Sequence, residues 1–372
     1  MTPRTRTFWL LGHRWIGIIL GLLIVLIGIT GALLEFEDAL DTALNPSLYN
    51  VQPGETYLPY DVLVAAAADG HTDLKSGYFS RNNDTATTPV IVTMQGARSE
   101  EVQVFVNPYT AEVIGHRSGL SSIALIRRLH GDLALGDVGE DIIGVVSVLI
   151  SVLCLMGLVL WWPGRGAWTR SLKINWTSRP RLVLRDLHNA GGAYLFIFLL
   201  LSAITVPPII WKLTTPQGGP PQTGQQARET SPPSGGPPTS ISWQAAVDAA
   251  KAAVPGQWVG FVLRPLGPAP FYMIRVWPPG ETGTPQMTTV FVNRYTGSII
   301  RISSPSSLTL TRLISSDYLI SLHSGAIAGL PGRLIMFIAG LGFAVLFASG
   351  LATWLIRLSS KNKSRSPSDI TN

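Results

Sequence analysis

The sequence predicts an α-helical membrane protein: a bundle of four transmembrane helices, built by an internal duplication, with two α+β domains on its outer side. The first observation is composition. Of the 372 residues, 46% are hydrophobic and only 13% are charged, against roughly 25% charged residues in soluble globular domains. The second observation is a set of four long apolar runs, and the third is a motif that occurs twice. Each is taken in turn below.

Four runs have the length that a membrane-spanning helix requires. A helix needs roughly 20 apolar residues to cross a hydrocarbon core about 30 Å thick, and its internal hydrogen bonds satisfy the backbone in lipid. The first run is longer than the roughly 7–15 residues of a signal-peptide core, so we interpret it as a retained anchor. The predicted boundaries are 1–35 for the N-terminus and first span, 36–140 for an outer domain and its connector, 141–162 for the second span, 163–189 for an inner basic loop, 190–211 for the third span, 212–332 for a linker (215–239), a second outer domain and its connector, 333–357 for the fourth span and 358–372 for the tail.

Basic residues cluster in three segments on one side of the spans. The positive-inside rule places the N-terminus, the loop 163–189 and the tail 358–372 in the cytoplasm, and the two long connections outside. The net charge of +6 follows from this topology, so it gives no support to nucleic-acid binding. The single cysteine, Cys154, excludes an intramolecular disulfide, and we interpret it as a packing residue of the second span.

Each outer segment predicts a small α+β domain. Alternating apolar residues predict a meander of strands in the first segment, and Ser242 can cap a helix that precedes three strands in the second. The closing strands match, because VFVNPYTAEVIG begins at Val104 and VFVNRYTGSIIR begins at Val290. The segment 215–239 is rich in Pro, Gly, Gln and Ser, which is typical of a disordered linker.

A histidine-centred motif occurs twice, which indicates an internal duplication. Glycines and a tryptophan recur at the same spacings after His130 and after His323: Gly136, Gly139, Gly157 and Trp161 match Gly329, Gly332, Gly350 and Trp354. A glycine and a threonine likewise recur at the same spacings after His13 and after His188: Gly17 and Thr30 match Gly192 and Thr205. One unit is therefore a span with an inner histidine, an outer domain, an outer histidine and a returning span.

Two local features qualify this repeat. His130 precedes its span by about 11 residues, and a straight helix would lift it roughly 16 Å clear of the membrane, so the connector must fold back. The repeated glycines that permit this reversal are Gly136, Gly139, Gly329 and Gly332. In the third span, Thr205 is followed by VPP where the first span has Thr30 and Gly31. We therefore expect the third span to end differently.

Four of the six histidines occupy equivalent places in the two halves. Histidine is costly in a membrane and tends to face the interior of a bundle. A pseudo-two-fold axis would pair His13 with His188 near the cytoplasmic face, and His130 with His323 near the outer face. Facing imidazoles on neighbouring helices are what a six-coordinate haem requires. We therefore predict two b-type haems, with these four histidines as the iron ligands.

Other interpretations compete with this one. Zinc or copper sites usually cluster ligands of mixed type, and no nearby set of Cys, Asp or Glu joins these histidines. His71 and His116 have no counterpart in the other half, and we interpret both as surface residues. Basic residues beside the four histidines can pair with haem propionates or reach the lipid headgroups. They are Arg14, Arg127, Arg128 and Arg185.

Three motifs carry a resemblance to a known family. HRWIGIILG with ITGALL, LHGDLALGDVGEDIIG with LVLWWPG, and RDLHNAGG resemble the signatures of the PepSY-associated transmembrane helix family, and the outer domains resemble PepSY modules. The resemblance covers nearly the whole chain apart from the linker and the tail. It implies a haem-binding ferric-siderophore reductase of the bacterial inner membrane, with both termini cytoplasmic and the PepSY domains in the periplasm.

The resemblance also implies a direction of electron flow. Electrons would pass outward through haem held by the four histidines to a ferric siderophore, releasing Fe(II) for iron uptake. The chain has no G-x-G-x-x-G nucleotide motif, so we expect the donor to be a cytoplasmic flavoprotein or membrane quinol. The alternative is a non-enzymatic anchor or sensor whose PepSY domains bind a periplasmic peptide or partner. An ion-coupled transporter has less support, since no acidic residue lies in mid-membrane.

Overall fold

The computed structural model describes the chain except for residues 1, 72, 97–100, 119–120, 165, 215–238, 265–268, 281–285, 305–312 and 364–372. The predicted linker 215–239 lies outside the described residues apart from Thr239, and so does most of the tail. The chain divides into two compact units. One unit contains the long helices, and the other contains the β-sheet.

The helices are α1 (Pro3–Leu34), α2 (Glu37–Leu44), α3 (Tyr60–Ala68), α4 (Ser122–Asp132), α5 (Asp137–Trp161), α6 (Trp168–Ser171), α7 (Pro180–Ile210), α8 (Trp243–Ala253), α9 (Ser316–His323) and α10 (Gly329–Lys363). The strands are β1 (Lys75–Ser80), β2 (Val90–Gln95), β3 (Glu101–Val106), β4 (Val113–Ser118), β5 (Trp258–Leu263), β6 (Phe271–Trp277), β7 (Thr288–Asn293) and β8 (Ile299–Ser303).

Within the described residues, four helices are long and apolar enough to cross a membrane, and they correspond to α1, α5, α7 and α10. In the bundle, α1 contacts α5 and α10, and α7 contacts the same two helices. The helices α1 and α7 therefore lie diagonally across the bundle from each other. Large apolar side chains such as Ile19 and Leu22 are exposed on its outer surface, where lipid rather than water would cover them.

The prediction that the third span ends differently is wrong. Helix α7 continues through Pro207 and Pro208 to its end at Ile210, so it extends one residue farther past its histidine than α1 does. A proline inside a helix removes one backbone hydrogen bond. Here both prolines fall in the last turn, which the N–H of Trp211 closes on the carbonyl of Pro207 at 3.0 Å. The missing bonds therefore do not interrupt the membrane-spanning part.

The connector between α4 and α5 folds back, as the glycine pattern predicts. Gly136 has φ +63° and its counterpart Gly329 also has φ +63°, a conformation that costs glycine little. Gly139 permits a close approach, because a Cβ atom there would lie 1.6 Å from the carbonyl oxygen of Asp132. A Cβ at Gly332 would lie 2.1 Å from the carbonyl oxygen of Gly325. The two connectors reverse by the same close contact.

The two outer segments share one antiparallel sheet with the strand order β4-β3-β2-β1-β5-β6-β7-β8. Strands β1 and β5 join the halves, with Phe79 opposite Val262. Their pairing satisfies two edges that would otherwise remain open. This differs from the two separate domains that the sequence predicts.

One hydrophobic core also serves both halves of the sheet. The side chain of Phe79 on β1 packs against Trp243 on α8 with ring centroids 5.6 Å apart. The helices α3 and α8 cap each other: the Asp61 carboxylate accepts from the backbone N–H groups of Trp243 and Gln244 at 2.9 and 3.0 Å, and the Gln244 amide oxygen accepts from the N–H of Tyr60 at 3.0 Å. Each half thus satisfies donors that the other leaves free.

Candidate functional site

The inner histidines face each other from diagonal helices. His13 on α1 and His188 on α7 have ring centroids 6.1 Å apart, with their planes at 86°. The Nδ1 atom of His13 lies 3.1 Å from the carbonyl oxygen of Leu153, and that of His188 lies 2.8 Å from the carbonyl oxygen of Leu346. A carbonyl can only accept, so Nδ1 carries the proton in both rings. Each Nε2 atom therefore keeps a lone pair that can bind a metal.

The outer histidines form a second pair with the same separation. His130 on α4 and His323 on α9 have ring centroids 6.1 Å apart, with their planes at 57°. Their Nδ1 atoms donate to the carbonyl oxygens of Ile27 at 2.9 Å and Ser202 at 3.0 Å. Burial lowers the pKa of His130, and burial with the neighbouring His130 lowers the pKa of His323 to about 4. Both rings are therefore neutral near pH 7, as metal ligands must be.

Every one of these contacts has a counterpart in the other half. The acceptors Leu153 and Leu346 follow the two outer histidines at equal spacing along the chain, and the acceptors Ile27 and Ser202 follow the two inner histidines at equal spacing. The structure thus brings together both histidine pairs that the sequence predicts, and it adds four backbone carbonyls that the sequence could not identify.

The ring separation distinguishes two kinds of metal coordination. Imidazoles bound through nitrogen at about 2.0 Å on opposite sides of one metal would have centroids about 6.3 Å apart, and tetrahedral binding would bring them to about 5.1 Å. The observed 6.1 Å in each pair is close to the first value. In the part of the chain that the structure describes, no third His, Cys, Asp or Glu completes a metal site. The arrangement fits an iron whose other ligands come from a planar macrocycle.

A cavity of about 540 Å³ surrounds the inner pair, within the size range of small-molecule and cofactor sites. Gly17 and Gly192, one turn from the two histidines, lie in its wall. Four arginines also line it: Arg6, Arg14, Arg185 and Arg357. The Nε atom of Arg14 is buried without a hydrogen-bond partner, which suits an anionic group such as a propionate.

Arg128 contacts the connector between α4 and α5. The Nη2 atom of Arg128, in α4, donates to the carbonyl oxygen of Ala134 at 3.3 Å, and Ala134 belongs to the connector between α4 and α5. Arg128 therefore stabilises the reversed connector, while Arg14 and Arg185 line the inner cavity. Of the four arginines that flank the histidines in the sequence, the structure brings two, Arg14 and Arg185, to the inner cavity.

Three glycines pack against histidine rings, a role that the sequence interpretation missed. A Cβ atom at Gly157 would lie 3.2 Å from Cε1 of His13, one at Gly350 would lie 3.0 Å from Cε1 of His188, and one at Gly31 would lie 2.7 Å from the same atom of His130. The equal spacing of Gly157 and Gly350 after the two outer histidines was the available signal for the first two. It marked the repeat without showing which ring each glycine contacts.

His71 and His116 lie close together, although the sequence predicts two separate surface residues. Their ring centroids lie 5.7 Å apart in the sheet unit, with His116 exposed and His71 partly buried. No group of three potential metal ligands includes them among the described residues, and protein metal sites usually need three or four. They do not form a closed metal centre.

Four apolar helices with two pairs of partly buried imidazoles define a multi-pass membrane protein with a candidate metal-cofactor site. The family model described as the PepSY-associated TM region matches residues 10–357, and the chain belongs to this family. No curated protein matches the chain. One similar solved structure is a chain assigned as a lipoprotein from Clostridium difficile 630, with 11% identity, a TM-score of 0.28, and coverage of 68% of this chain and 97% of that one.

Proposed function

We propose that the protein is a di-haem ferric-siderophore reductase of the bacterial inner membrane that moves electrons outward. One observation carries the proposal: four imidazoles form two facing pairs at 6.1 Å, and a backbone carbonyl fixes the proton of each on Nδ1. A membrane anchor or transporter has no need for this arrangement. When bound, haem at each pair would supply one-electron Fe(III)/Fe(II) chemistry.

The ligand set favours electron transfer over chemistry at the iron. If both imidazoles of a pair bound the haem iron, they would leave no coordination site open for a substrate. The Nδ1–H···O=C bonds orient the rings and raise their basicity, as hydrogen bonds to metal-bound histidines generally do. Around the inner pair, Arg14 would hold a propionate, because guanidinium groups form strong paired hydrogen bonds with carboxylates. Arg185 would offer a propionate only the donors that its ion pair with Asp186 at 2.8 Å leaves free. No side chain is assigned a catalytic role.

The proposal includes orientation and ancestry. Basic residues flank the spans on the side of His13 and His188, which places both termini and the inner pair at the cytoplasm and the sheet in the periplasm. The matched offsets of both histidine pairs and their carbonyl acceptors support an internal duplication.

The proposed iron substrate and electron donor rest on the chemistry of iron chelates and on the motifs of the chain. Ferrous iron binds hard-oxygen chelators more weakly than ferric iron does, so one electron delivered to a ferric siderophore would release the metal. The reductant would be a separate cytoplasmic flavoprotein or membrane quinol, because the family motifs and the inner loop contain no nucleotide-binding fingerprint.

The test uses the full chain in two stages. An absorption spectrum before and after dithionite should show two b-type haems per chain, and a colourless protein from haem-replete cells would contradict the proposal. The chain is then reconstituted in liposomes with reductant inside and ferric siderophore outside, and an impermeant dye follows ferrous iron. Reduced haem without a ferrous signal would favour the alternative, a non-enzymatic PepSY membrane anchor or sensor that binds a periplasmic peptide or partner.

A further inference from the structure

A threonine hydroxyl lies beside each outer imidazole. Thr30 Oγ1 is 3.3 Å from Nδ1 of His130, and Thr205 Oγ1 is 3.2 Å from Nδ1 of His323. Both threonines are almost fully buried, with 5% and 3% of their surface exposed. They occupy the same place in the two halves, because they follow the two inner histidines at equal spacing along the chain.

The helix backbone determines which way these hydroxyls point. The Thr30 hydroxyl donates to the carbonyl oxygen of Leu26 at 2.7 Å, and the Thr205 hydroxyl donates to that of Ser202 at 2.9 Å, the usual back-bonding of threonine within a helix. Since each hydroxyl has one proton, its oxygen can only accept from the imidazole. The Nδ1–H of His130 therefore points at two oxygens, one from a carbonyl and one from Thr30. Nδ1 of His323 has the same two kinds of acceptor, and the hydroxyl oxygen of Ser202 also lies 3.4 Å from it.

The inner imidazoles have a simpler environment. Among the described residues, Nδ1 of His13 has the carbonyl of Leu153 as its acceptor, and Nδ1 of His188 has the carbonyl of Leu346. No hydroxyl oxygen contacts either atom in that part of the chain. The outer pair thus differs from the inner pair in its added hydroxyl oxygens, one beside His130 and two beside His323.

We propose that Thr30 and Thr205 are positioning residues that make the outer imidazoles more electron-rich and fix the angle between their planes. An acceptor on the distal N–H gives a metal-bound imidazole partial negative charge, which stabilises ferric over ferrous iron. This inference depends on the proposed haem function. Each threonine would lower the midpoint potential of the outer site, which suits a site that must donate an electron to a ferric chelate.

The test compares Thr30→Val and Thr205→Val with the wild-type chain by redox titration of the purified protein. The outer component is identified as the one that His130→Ala removes. At an ambient potential near its midpoint, the ferric-to-ferrous ratio of this component should fall about threefold in each variant, equivalent to a rise of about 30 mV for one electron. The inner component should not shift. The low-spin ferric signal of the outer component should also change in electron paramagnetic resonance, because its anisotropy depends on the angle between the imidazole planes.

Two further variants separate this role from general packing. Thr30→Ser keeps the hydroxyl and should restore the wild-type potential. Ser151→Ala removes a helix hydroxyl that bonds to the carbonyl of Ser147 at 2.9 Å and should shift neither component. Outer potentials that stay unchanged in both Val variants, or that move equally in Ser151→Ala, would overturn the inference while two bound haems uphold the proposed function. Absence of haem from the wild-type chain would overturn both.

Discussion

The inner and outer histidine pairs have the same ring separation, but different local structures produce it. His13 and His188 lie within long helices, so helix continuity alone sets their positions. His130 and His323 lie on the short helices α4 and α9, and each is followed by a connector that reverses direction. The outer pair therefore depends on a backbone reversal that the inner pair does not need. The two sites should respond differently to the same kind of substitution.

Removing one ligand should have the largest effect. His188→Ala should abolish the inner haem and lower the haem content by about half, because His13 alone would supply only one of the two imidazoles that would hold it. His13→Ala should give the same spectrum, and His130→Ala and His323→Ala should share the other loss. A pyridine haemochrome assay with reduced-minus-oxidised spectra measures this. His71→Ala is the control, and a common spectral loss in the His13 and His323 variants would refute the pairing.

Crowding the outer connector should affect one pair only. A Cβ at Gly139 would meet the carbonyl oxygen of Asp132 at 1.6 Å, while a Cβ at Gly131, beside His130, would meet nothing within 4 Å. Gly139→Ala should therefore cost about 1–3 kcal/mol through overpacking and weaken the outer haem selectively, and Gly131→Ala should not. Haem content and thermal denaturation report the difference. Equal losses in the two variants would show that the reversal does not hold the outer pair.

Substitutions of Arg14 and Arg128 should differ in their effect on the inner haem. Arg14 lines the inner cavity with an unpartnered Nε atom, so Arg14→Met should weaken inner haem binding by about tenfold, or 1.4 kcal/mol. Arg128 donates a hydrogen bond to Ala134 in the connector, so Arg128→Met should leave the affinity for the inner haem unchanged. Transfer of haem to an excess of apomyoglobin gives the relative affinities. The assignment fails if Arg128→Met releases the inner haem as fast as Arg14→Met.

The smallest effect should come from adding a methyl group at Gly350, beside the His188 ring. A Cβ at Gly350 would lie 3.0 Å from Cε1 of His188, so the ring must move by a few tenths of an ångström. Gly350→Ala should weaken inner haem by about two- to threefold, below roughly 1 kcal/mol. Gly164→Ala, where nothing lies within 4 Å of the new Cβ, is the matched control. An unchanged inner haem in Gly350→Ala would mean that the ring has more freedom than its contacts indicate.

The sequence was most informative where identical side chains recur at identical spacing. Equal offsets from His13 and His188, and from His130 and His323, predicted both pairs. The partners of the imidazoles were invisible because a backbone carbonyl has no signature in the sequence, and residues as different as Ile27 and Ser202 supply equivalent acceptors.

The joined sheet was equally hidden. Pairing of β1 with β5 connects Phe79 to Val262, residues far apart in the chain, and each half-sheet has the alternating pattern of a complete domain. The prolines of α7 misled for a related reason: their effect depends on whether they fall in the middle of a helix or in its last turn, and the sequence does not mark where that turn lies.

The strand junction also bears on how the polypeptide could be divided. Strands β1 and β5 meet through backbone hydrogen bonds with antiparallel register, as the edges of two separate chains would, and helices α3 and α8 cap each other across the same join. The two halves therefore bind each other through non-covalent contacts, namely the strand pairing and the helix caps. Two polypeptides, one ending before residue 215 and the other starting after residue 238, carry complementary edges and are suited to reassembly as a split protein.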